Sequence, residues 1–219
     1  MRPVIPCGLP AAGWLIMKII LASDLSFLLA EGYALTGIPK EEMRIGYVIT
    51  ASKGDSNTDY VRKLEKDIAE SGYKFEEYDI EDKTARQLRE FFSDKNVIQV
   101  EGGNTYYLLK AFRKTGFDKM LNALLKDKIY IGTSAGSSIL GPTIELTSHA
   151  PENVQKSELK GLGLVPFLIK CHYKEEKEEE YKAKLKDLKY SVKFLRDSQG
   201  FLIENEKITF HGTGQEVKI

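Results

Sequence analysis

Short apolar runs alternate with amphipathic segments along the first two thirds of the chain. Such runs, bounded by turn residues, are typical of strands that are covered on both faces of a sheet. The predicted strands are Lys18–Ala22, Arg44–Thr50, Lys74–Asp79, Val97–Val100 and Lys128–Gly132.

Helical periodicity fills the segments between these runs. In Asp59–Ser71 the apolar residues share one helix face, and Gly72 follows as a C-terminal signal. Thr84 and Gln87 match a capping box at the start of a second helix. Thr105–Lys114 repeats the pattern and ends before a glycine. Strands that alternate with helices predict an α/β fold, with a mainly parallel, doubly wound sheet and helices on both faces.

The last third of the chain carries a weaker pattern. After a turn at Gly141-Pro142, the sequence predicts a strand over Leu164–Cys171 and a helix over Glu175–Leu188. A final pair of strands is expected at Phe201–Ile203 and Ile208–His211. The glutamates of the charged helix precede its lysines, which stabilises a solvated helix and indicates no binding site.

Residues 1–16 differ from the rest of the sequence. Three prolines interrupt this segment, and Lys18 ends its apolar stretch, so we expect no membrane span. Arg2 precedes an apolar region, as in a secretion signal, but no small-x-small cleavage site follows. Met17 opens the first predicted strand. We therefore expect residues 1–16 to be a leader outside the fold or a misassigned start, and residues 17–219 to form a single domain.

Composition narrows the function classes. Lysine plus arginine and aspartate plus glutamate both number 32, so the formal net charge is zero. No basic excess marks a nucleic-acid partner. Cys7 and Cys171 are the only cysteines, and no C-x-x-C metal spacing occurs. These features favour a reducing, cytoplasmic location.

The fifth predicted strand runs into Gly132-Thr133-Ser134-Ala135-Gly136, which is the G-x-S-x-G pattern of a nucleophile elbow. Small flanking residues are needed, because a side chain is lifted off the sheet edge only where the backbone folds tightly behind it. Ala135–Leu140 can begin a helix, and the Ala135 N–H is then placed to stabilise an oxyanion. A closely packed turn without chemistry is the alternative.

A second small-residue motif, Glu101-Gly102-Gly103-Asn104-Thr105, follows the fourth predicted strand. Two glycines leave backbone N–H groups open to a ligand, and Asn104 or Thr105 can cap the next helix. The motif lacks the spacing of a phosphate loop, so an oxyanion or a carboxylate suits it better. A tight turn with a helix cap is the structural alternative. Both motifs are expected at the carboxyl edge of the sheet, where ligands bind in such folds.

Three histidines are candidates for a catalytic base. His172 follows the predicted strand Leu164–Cys171, so it lies on the same rim as Ser134 if that strand runs parallel to the sheet. We therefore favour His172 as the base of an acyl-transfer site. His149 is expected to be mainly solvated, although its loop could line the cleft. His211 is expected to point to solvent or to its hairpin partner.

Together these motifs resemble the peptidase E, or aspartyl dipeptidase, family of serine peptidases, which includes cyanophycinase relatives. The matching segments are Gly102–Lys110 (GGNTYYLLK), Ile131–Pro142 (IGTSAGSSILGP) and Cys171–Tyr173 (CHY), and the likeness runs from Met17 to Ile219. The resemblance implies a fold similar to the class I glutamine amidotransferase domain, with serine replacing the cysteine nucleophile. It implies neither a cofactor nor a metal.

The resemblance also implies residue roles. Ser134 is the expected nucleophile and His172 its base, and the oxyanion is expected to bind two backbone N–H groups, those of Gly103 and Ala135. The full set of predicted substrate-binding residues is Gly102, Gly103, Asn104 and Ala135.

The third catalytic residue departs from the family pattern. Peptidase E carries an aspartate after the nucleophile helix, and the matching position here is His149. Cyanophycinase-like members use a glutamate in a later turn, at a position that corresponds to Ser198. We select Asp197, the acid nearest that turn, as the orienting residue; an ordinary turn aspartate is the alternative. The departure also leaves specificity for aspartyl substrates open.

We therefore expect a cytoplasmic serine hydrolase that cleaves a dipeptide or a similar short amide. A small peptide is the expected partner, with no nucleic acid or membrane, and a homo-oligomer is left open. One alternative is a non-peptidase hydrolase of the same fold, acting on an ester or isopeptide bond. Another is a binding module that has lost catalysis, which the missing family acid would permit. A glutamine amidotransferase is disfavoured, because it uses cysteine at the elbow.

Overall fold

A computed structural model describes residues 17–54, 59–147 and 149–219. The predicted leader, residues 1–16, lies outside the described residues. The expectations of a leader and of a single domain over residues 17–219 therefore stay predictions.

Seven strands form one sheet. They are β1 (Lys18–Ala22), β2 (Arg44–Val48), β3 (Lys74–Tyr78), β4 (Val97–Val100), β5 (Ile129–Thr133), β8 (Gln199–Glu204) and β9 (Lys207–Gly212). Their order across the sheet is β3-β2-β4-β5-β1-β8-β9. The pairs among β1 to β5 are parallel, whereas β8 pairs antiparallel with both β1 and β9. The predicted α/β class and mainly parallel sheet are confirmed.

Helices cover both faces of this sheet. The α-helices among the described residues are α1 (Leu25–Phe27), α2 (Asp59–Glu70), α3 (Ala85–Phe92), α4 (Thr105–Thr115), α5 (Phe117–Leu124), α6 (Ala135–Ser138) and α7 (Glu178–Leu185). A π-helical turn, Leu28–Gly32, continues α1. The 3-10 turns cover Ala34–Thr36, Lys40–Glu42, Thr50–Gly54, Lys156–Leu159 and Glu175–Lys177. None of the described helices is both long and apolar enough to cross a membrane.

The alternation of side chains along β1 shows how the core is divided. Ile19 and Leu21 contact a cluster that includes residues of α3, α4 and α5, whereas Ile20 and Ala22 contact a second cluster with residues of α1 and α2. Successive side chains of a strand point to opposite faces, so a strand buried on both sides must be apolar throughout. This is why the continuous apolar runs predicted the strands.

Local end signals formed as predicted. Thr84 caps α3 in a complete capping box with Gln87, and Asn104 caps α4 by accepting the Tyr107 N–H at 2.9 Å. Gly72, after α2, has a φ of +78°, a conformation that favours glycine.

The prediction for Leu164–Cys171 was wrong in extent and in pairing. The strand there is β6 (Leu168–Lys170), which pairs in parallel with β7 (Val192–Phe194) in a separate two-stranded sheet. The N–H groups of Leu164 and Val165 donate instead to the Leu140 carbonyl, and Pro166 has no N–H to offer. These three residues therefore do not extend a strand.

Four other elements differ from the expectations. The predicted helix over Glu175–Leu188 begins as a 3-10 turn, and α7 itself ends at Leu185. The helix expected over Ala135–Leu140 is the single turn of α6. Helix α5 and strand β7 were not predicted from the sequence.

Candidate active site

Ser134 lies at a sharp turn between β5 and α6. Its backbone, at φ 49° and ψ −100°, lies outside the regions that residues with a side chain prefer. The Ser134 N–H donates to the Ala22 carbonyl at 3.0 Å, which ties the turn to the end of β1. A Cβ on Gly136 would lie 2.1 Å from the Val100 oxygen, and one on Gly132 would lie 2.6 Å from the Gly136 carbonyl carbon. The glycines of the motif are therefore required by close backbone packing.

The glycine turn after β4 lies against this elbow. A Cβ on Gly102 would lie 3.1 Å from the Ser134 Cβ. Gly103 has a φ of +129°, and its Cα faces the Ala51 carbonyl so closely that a Cβ there would lie 2.6 Å from the oxygen. Because β4 and β5 are parallel neighbours, their carboxyl ends bring the two predicted motifs together.

Glu101 holds the glycine turn from inside the protein. Its buried carboxylate accepts the Gly102 N–H at 2.7 Å and the Tyr47 hydroxyl at 2.8 Å. Burial raises the pKa of Glu101, and the two hydrogen bonds oppose that shift. The Gly102 N–H is thus bonded within the protein and is not free for a ligand.

Asn104 is also bonded within the fold. Its backbone N–H donates to the Ala51 carbonyl, and its side chain caps α4 and donates to the Gly54 carbonyl at 3.2 Å. By contrast, the N–H groups of Gly103 and Ala135 have no acceptor among the described residues. One of these N–H groups lies in the glycine turn and the other directly after Ser134, and both are free to bind a ligand.

His172 reaches Ser134 from the small sheet. Its Nε2 lies 3.0 Å from Ser134 Oγ, and its Nδ1 lies 2.6 Å from Asp197 Oδ1. Strands β6 and β7 are parallel, so the residues that follow their carboxyl ends, His172 and Asp197, emerge side by side. The prediction placed His172 on the rim of Ser134 if its strand ran parallel to the main sheet. The strand before His172 instead pairs with β7 in the separate small sheet.

Asp197 and its neighbour Ser198 point to different partners. The Asp197 carboxylate faces His172 and is 66% exposed, while the imidazole is 47% exposed. Ser198 lies 2.8 Å from the Ser26 hydroxyl through its own Oγ. Asp197 therefore supplies the carboxylate that contacts His172.

Sequence reasoning did not single out Ser23. Its hydroxyl accepts the His172 N–H at 3.1 Å and lies 3.4 Å from Asp197 Oδ1. One sequence feature could have identified Ser23: it directly follows β1 and so lies at the sheet edge where such folds bind ligands.

A cleft of about 170 Å³ opens beside Ser134. Its walls combine hydroxyl, apolar and basic side chains from Thr105, Ser138, Thr143, Ile144, Leu146, Thr147, His149, Leu168 and Lys170. His149 is exposed and lines this cleft, with its Nδ1 3.4 Å from the Thr105 N–H and 3.2 Å from the Thr147 hydroxyl. His211 lies in β9, with its Nε2 3.1 Å from the Thr209 hydroxyl, and it is not part of the cleft.

Cys171 is buried next to the elbow, with 5% of its surface exposed. Its Sγ is 3.9 Å from the Ser134 carbonyl oxygen, and burial raises the pKa of the thiol to about 12. Nucleophilic chemistry needs the thiolate, so this position does not supply the cysteine of an amidotransferase. Within the described ranges, no group of three His, Cys, Asp or Glu residues could hold a metal ion.

Comparison with known sequences gives related peptidases. The model of peptidase family S51 matches residues 26–211. An uncharacterised peptidase of Listeria monocytogenes is 29% identical over 170 residues, which cover 76% of this chain and 80% of that protein. Peptidase E of a Nostoc species is 29% identical over 131 residues, covering 59% of this chain. The match spans about half of that relative, 52% of its length.

Two crystal structures share the fold. One, of a candidate peptidase E from Listeria monocytogenes, superimposes with a TM-score of 0.76 at 22% identity and covers 91% of this chain and 100% of that one. The other, of a peptidase from an acI-B1 actinobacterium, gives a TM-score of 0.60 at 16% identity, with coverage of 93% and 97%. These similarities confirm the predicted fold class, similar to the class I glutamine amidotransferase domain.

Proposed function

The chain belongs to peptidase family S51 and is a serine peptidase, and on that premise we propose that it hydrolyses dipeptides or other short peptides through Ser134 and His172. The observation that carries the proposal is the 3.0 Å distance between Ser134 Oγ and His172 Nε2. A hydroxyl becomes a competent nucleophile when a base lies within hydrogen-bond reach. The cleft of about 170 Å³ supports a short substrate, because sites for larger ligands occupy roughly 300 Å³ or more.

In the proposed acylation, His172 Nε2 takes the proton of the Ser134 hydroxyl as Oγ bonds to the scissile carbonyl carbon. The carbonyl oxygen becomes an oxyanion and accepts the N–H groups of Gly103 and Ala135. Collapse breaks the carbon–nitrogen bond, and His172 gives its proton to the leaving amine. The acyl part of the substrate, which in a dipeptide is its amino-terminal residue, is left as an ester on Ser134.

In deacylation, water is the nucleophile and Ser134 Oγ is the leaving group. His172 takes a proton from water, which attacks the ester carbon, and the same two N–H groups hold the second oxyanion. The bond to Ser134 then breaks, and His172 returns a proton to Oγ. Throughout, Asp197 accepts the Nδ1–H of His172, which keeps the Nε2 lone pair directed at Ser134 and stabilises the imidazolium.

The walls of the cleft support a polar peptide as substrate. The hydroxyls of Thr143 and Thr147 and the imidazole of His149 offer hydrogen-bond partners next to the reacting serine. His149 stands where the resemblance implies an aspartate, so the proposal does not extend to specificity for aspartyl substrates. The low cysteine content supports a cytoplasmic location, which stays a prediction.

A mass-spectrometric screen of mixed dipeptides tests this function. We expect wild type to cleave a subset, the exposed-site control Ser93→Ala to cleave the same subset, and Ser134→Ala to lose about 10³-fold or more in rate. Unchanged turnover by Ser134→Ala would defeat the proposal. Cleavage of esters or isopeptides but of no dipeptide would support the non-peptidase hydrolase. A folded wild type that neither turns over substrate nor reacts with a fluorophosphonate would support a binding module.

A further inference from the structure

Ser23 lies directly after β1 and contacts both groups behind the proposed nucleophile. Its Oγ accepts the backbone N–H of His172 at 3.1 Å and lies 3.4 Å from Asp197 Oδ1. The residue is fully buried, so water cannot replace these bonds. One hydroxyl therefore joins two chain segments that are 25 residues apart in sequence.

Each of these segments contains a residue with positive φ. His172 has a φ of 55° and Ser198 a φ of 60°, which are unfavourable for residues with a side chain and persist where neighbouring contacts hold them. The N–H groups of these two residues are bonded by the two residues after β1. Ser23 accepts that of His172, and Asp24 Oδ1 accepts that of Ser198 at 3.1 Å. The end of β1 thus holds both turns.

The hydroxyl of Ser23 can serve both contacts at once. Its oxygen accepts the His172 N–H, which leaves its hydrogen for Asp197 Oδ1. Asp197 Oδ1 also lies 2.6 Å from His172 Nδ1. Two donors on one carboxylate oxygen restrict its rotation, which matters because the Asp197 side chain is largely exposed.

We propose that Ser23 is a positioning residue that aligns His172 with Asp197 without touching the substrate. The inference rests on the proposed function of that pair. Asp24 contributes to the same arrangement, but its carboxylate also accepts the Phe27 N–H and caps α1. Substitution of Asp24 would therefore perturb a helix as well, and Ser23 is the sharper residue to test.

The rate of fluorophosphonate labelling at Ser134 measures alignment without a known substrate. We expect Ser23→Ala to label roughly tenfold more slowly or worse, since small misplacements of catalytic groups cost large factors in rate. Ser23→Cys, assayed in reducing agent because Cys171 is close, fills the buried site with a weak hydrogen-bonding group and should show the same loss. The control is Ser71→Ala, which likewise removes a serine hydroxyl with a hydrogen bond to the backbone, here one donated to the Ile68 carbonyl outside the cleft; its rate should equal wild type.

A double-mutant cycle separates positioning from general destabilisation. If Ser23 acts through Asp197, then Ser23→Ala should cost less in an Asp197→Ala background than in wild type. Equal losses in the two backgrounds would overturn the inference, as would wild-type labelling by both Ser23 variants.

The low-field proton resonance of His172 Nδ1–H gives a readout that needs no reaction. His172→Ala assigns the signal, and Ser23→Ala should shift or broaden it, whereas Ser71→Ala should not. If wild type fails to label, the proposed function fails while this resonance still tests the alignment. An unchanged resonance in Ser23→Ala would overturn the inference.

Discussion

Ser134 combines an unfavourable backbone conformation with contacts that hold it in place. Conformations of this kind cost about 1–3 kcal/mol and occur where the surrounding structure over-determines them. Here the Ser134 N–H bonds to Ala22, and the glycines on either side permit backbone contacts that any Cβ would prevent. The requirement is local and steric, so the motif alone could predict the elbow.

Asp197 gives the sharpest test of a single contact. We expect Asp197→Ala to lower kcat by about 10²-fold with little change in KM, because the carboxylate orients the base and does not contact substrate. Removal of a buried triad aspartate costs about 10⁴-fold, and the effect is smaller here because Asp197 is 66% exposed and water screens its charge.

The matched control is Asp187→Ala, at an exposed aspartate of the same charge away from the cleft. Steady-state kinetics on the best dipeptide from the screen provide the measurement. Wild-type kcat in Asp197→Ala would show that the 2.6 Å contact with His172 has no role in the reaction.

The contact of Ser23 with His172 could not be predicted from the sequence. It spans 149 positions in sequence, and no local pattern encodes such a pair. Asp197 was selected only as the acid nearest a turn that the resemblance pointed to, and its contact with His172 depends on the pairing of β6 with β7.

The elements themselves followed from the sequence where their patterns were strong. Strands β1, β2, β4 and β5 are apolar because both of their faces are buried, and α3 and α4 carry their own capping residues. The three-residue strands β6 and β7 are too short to show periodicity, and nothing in their sequence favours pairing with each other over joining the main sheet. Helix α5 begins directly after Gly116, the glycine that ends α4. Because that glycine indicated the end of a helix, the sequence did not predict that another helix starts at the next residue.

The contact between α2 and β3 makes stability depend on pH. Burial, together with the neighbouring carboxylate of Glu77, raises the pKa of Glu65 from 4.5 to about 7. Because folding raises this pKa, the folded protein binds the proton more tightly, and stability falls as pH rises from about 4.5 to about 7. We expect Glu65→Gln to raise Tm at pH 8 and to change it little at pH 4.5.

Thermal melts at the two pH values measure this difference. Glu41→Gln, at an exposed glutamate of the 3-10 turn Lys40–Glu42, is the control and should change Tm equally little at both. The same Tm change for Glu65→Gln at pH 4.5 and pH 8 would contradict the raised pKa.

The candidate active site is formed by residues that follow the carboxyl ends of five strands in two sheets. The residues after β1, β4 and β5 meet at the carboxyl edge of the main sheet, and the residues after β6 and β7 reach the same cleft from the small sheet. The rule that ligands bind at this edge predicted where Ser134 and the glycine turn would lie. It did not predict the second sheet, because the position of that sheet depends on tertiary packing.

The central claim is that Ser134 and His172 form one reacting pair across this cleft. Fluorophosphonate treatment of the folded protein, followed by peptide mapping, tests it most directly. We expect one adduct per chain on Ser134, absent from Ser134→Ala and formed about 10²-fold more slowly in His172→Ala. A folded wild type that forms no adduct at Ser134, or that labels equally fast without the imidazole of His172, would contradict it.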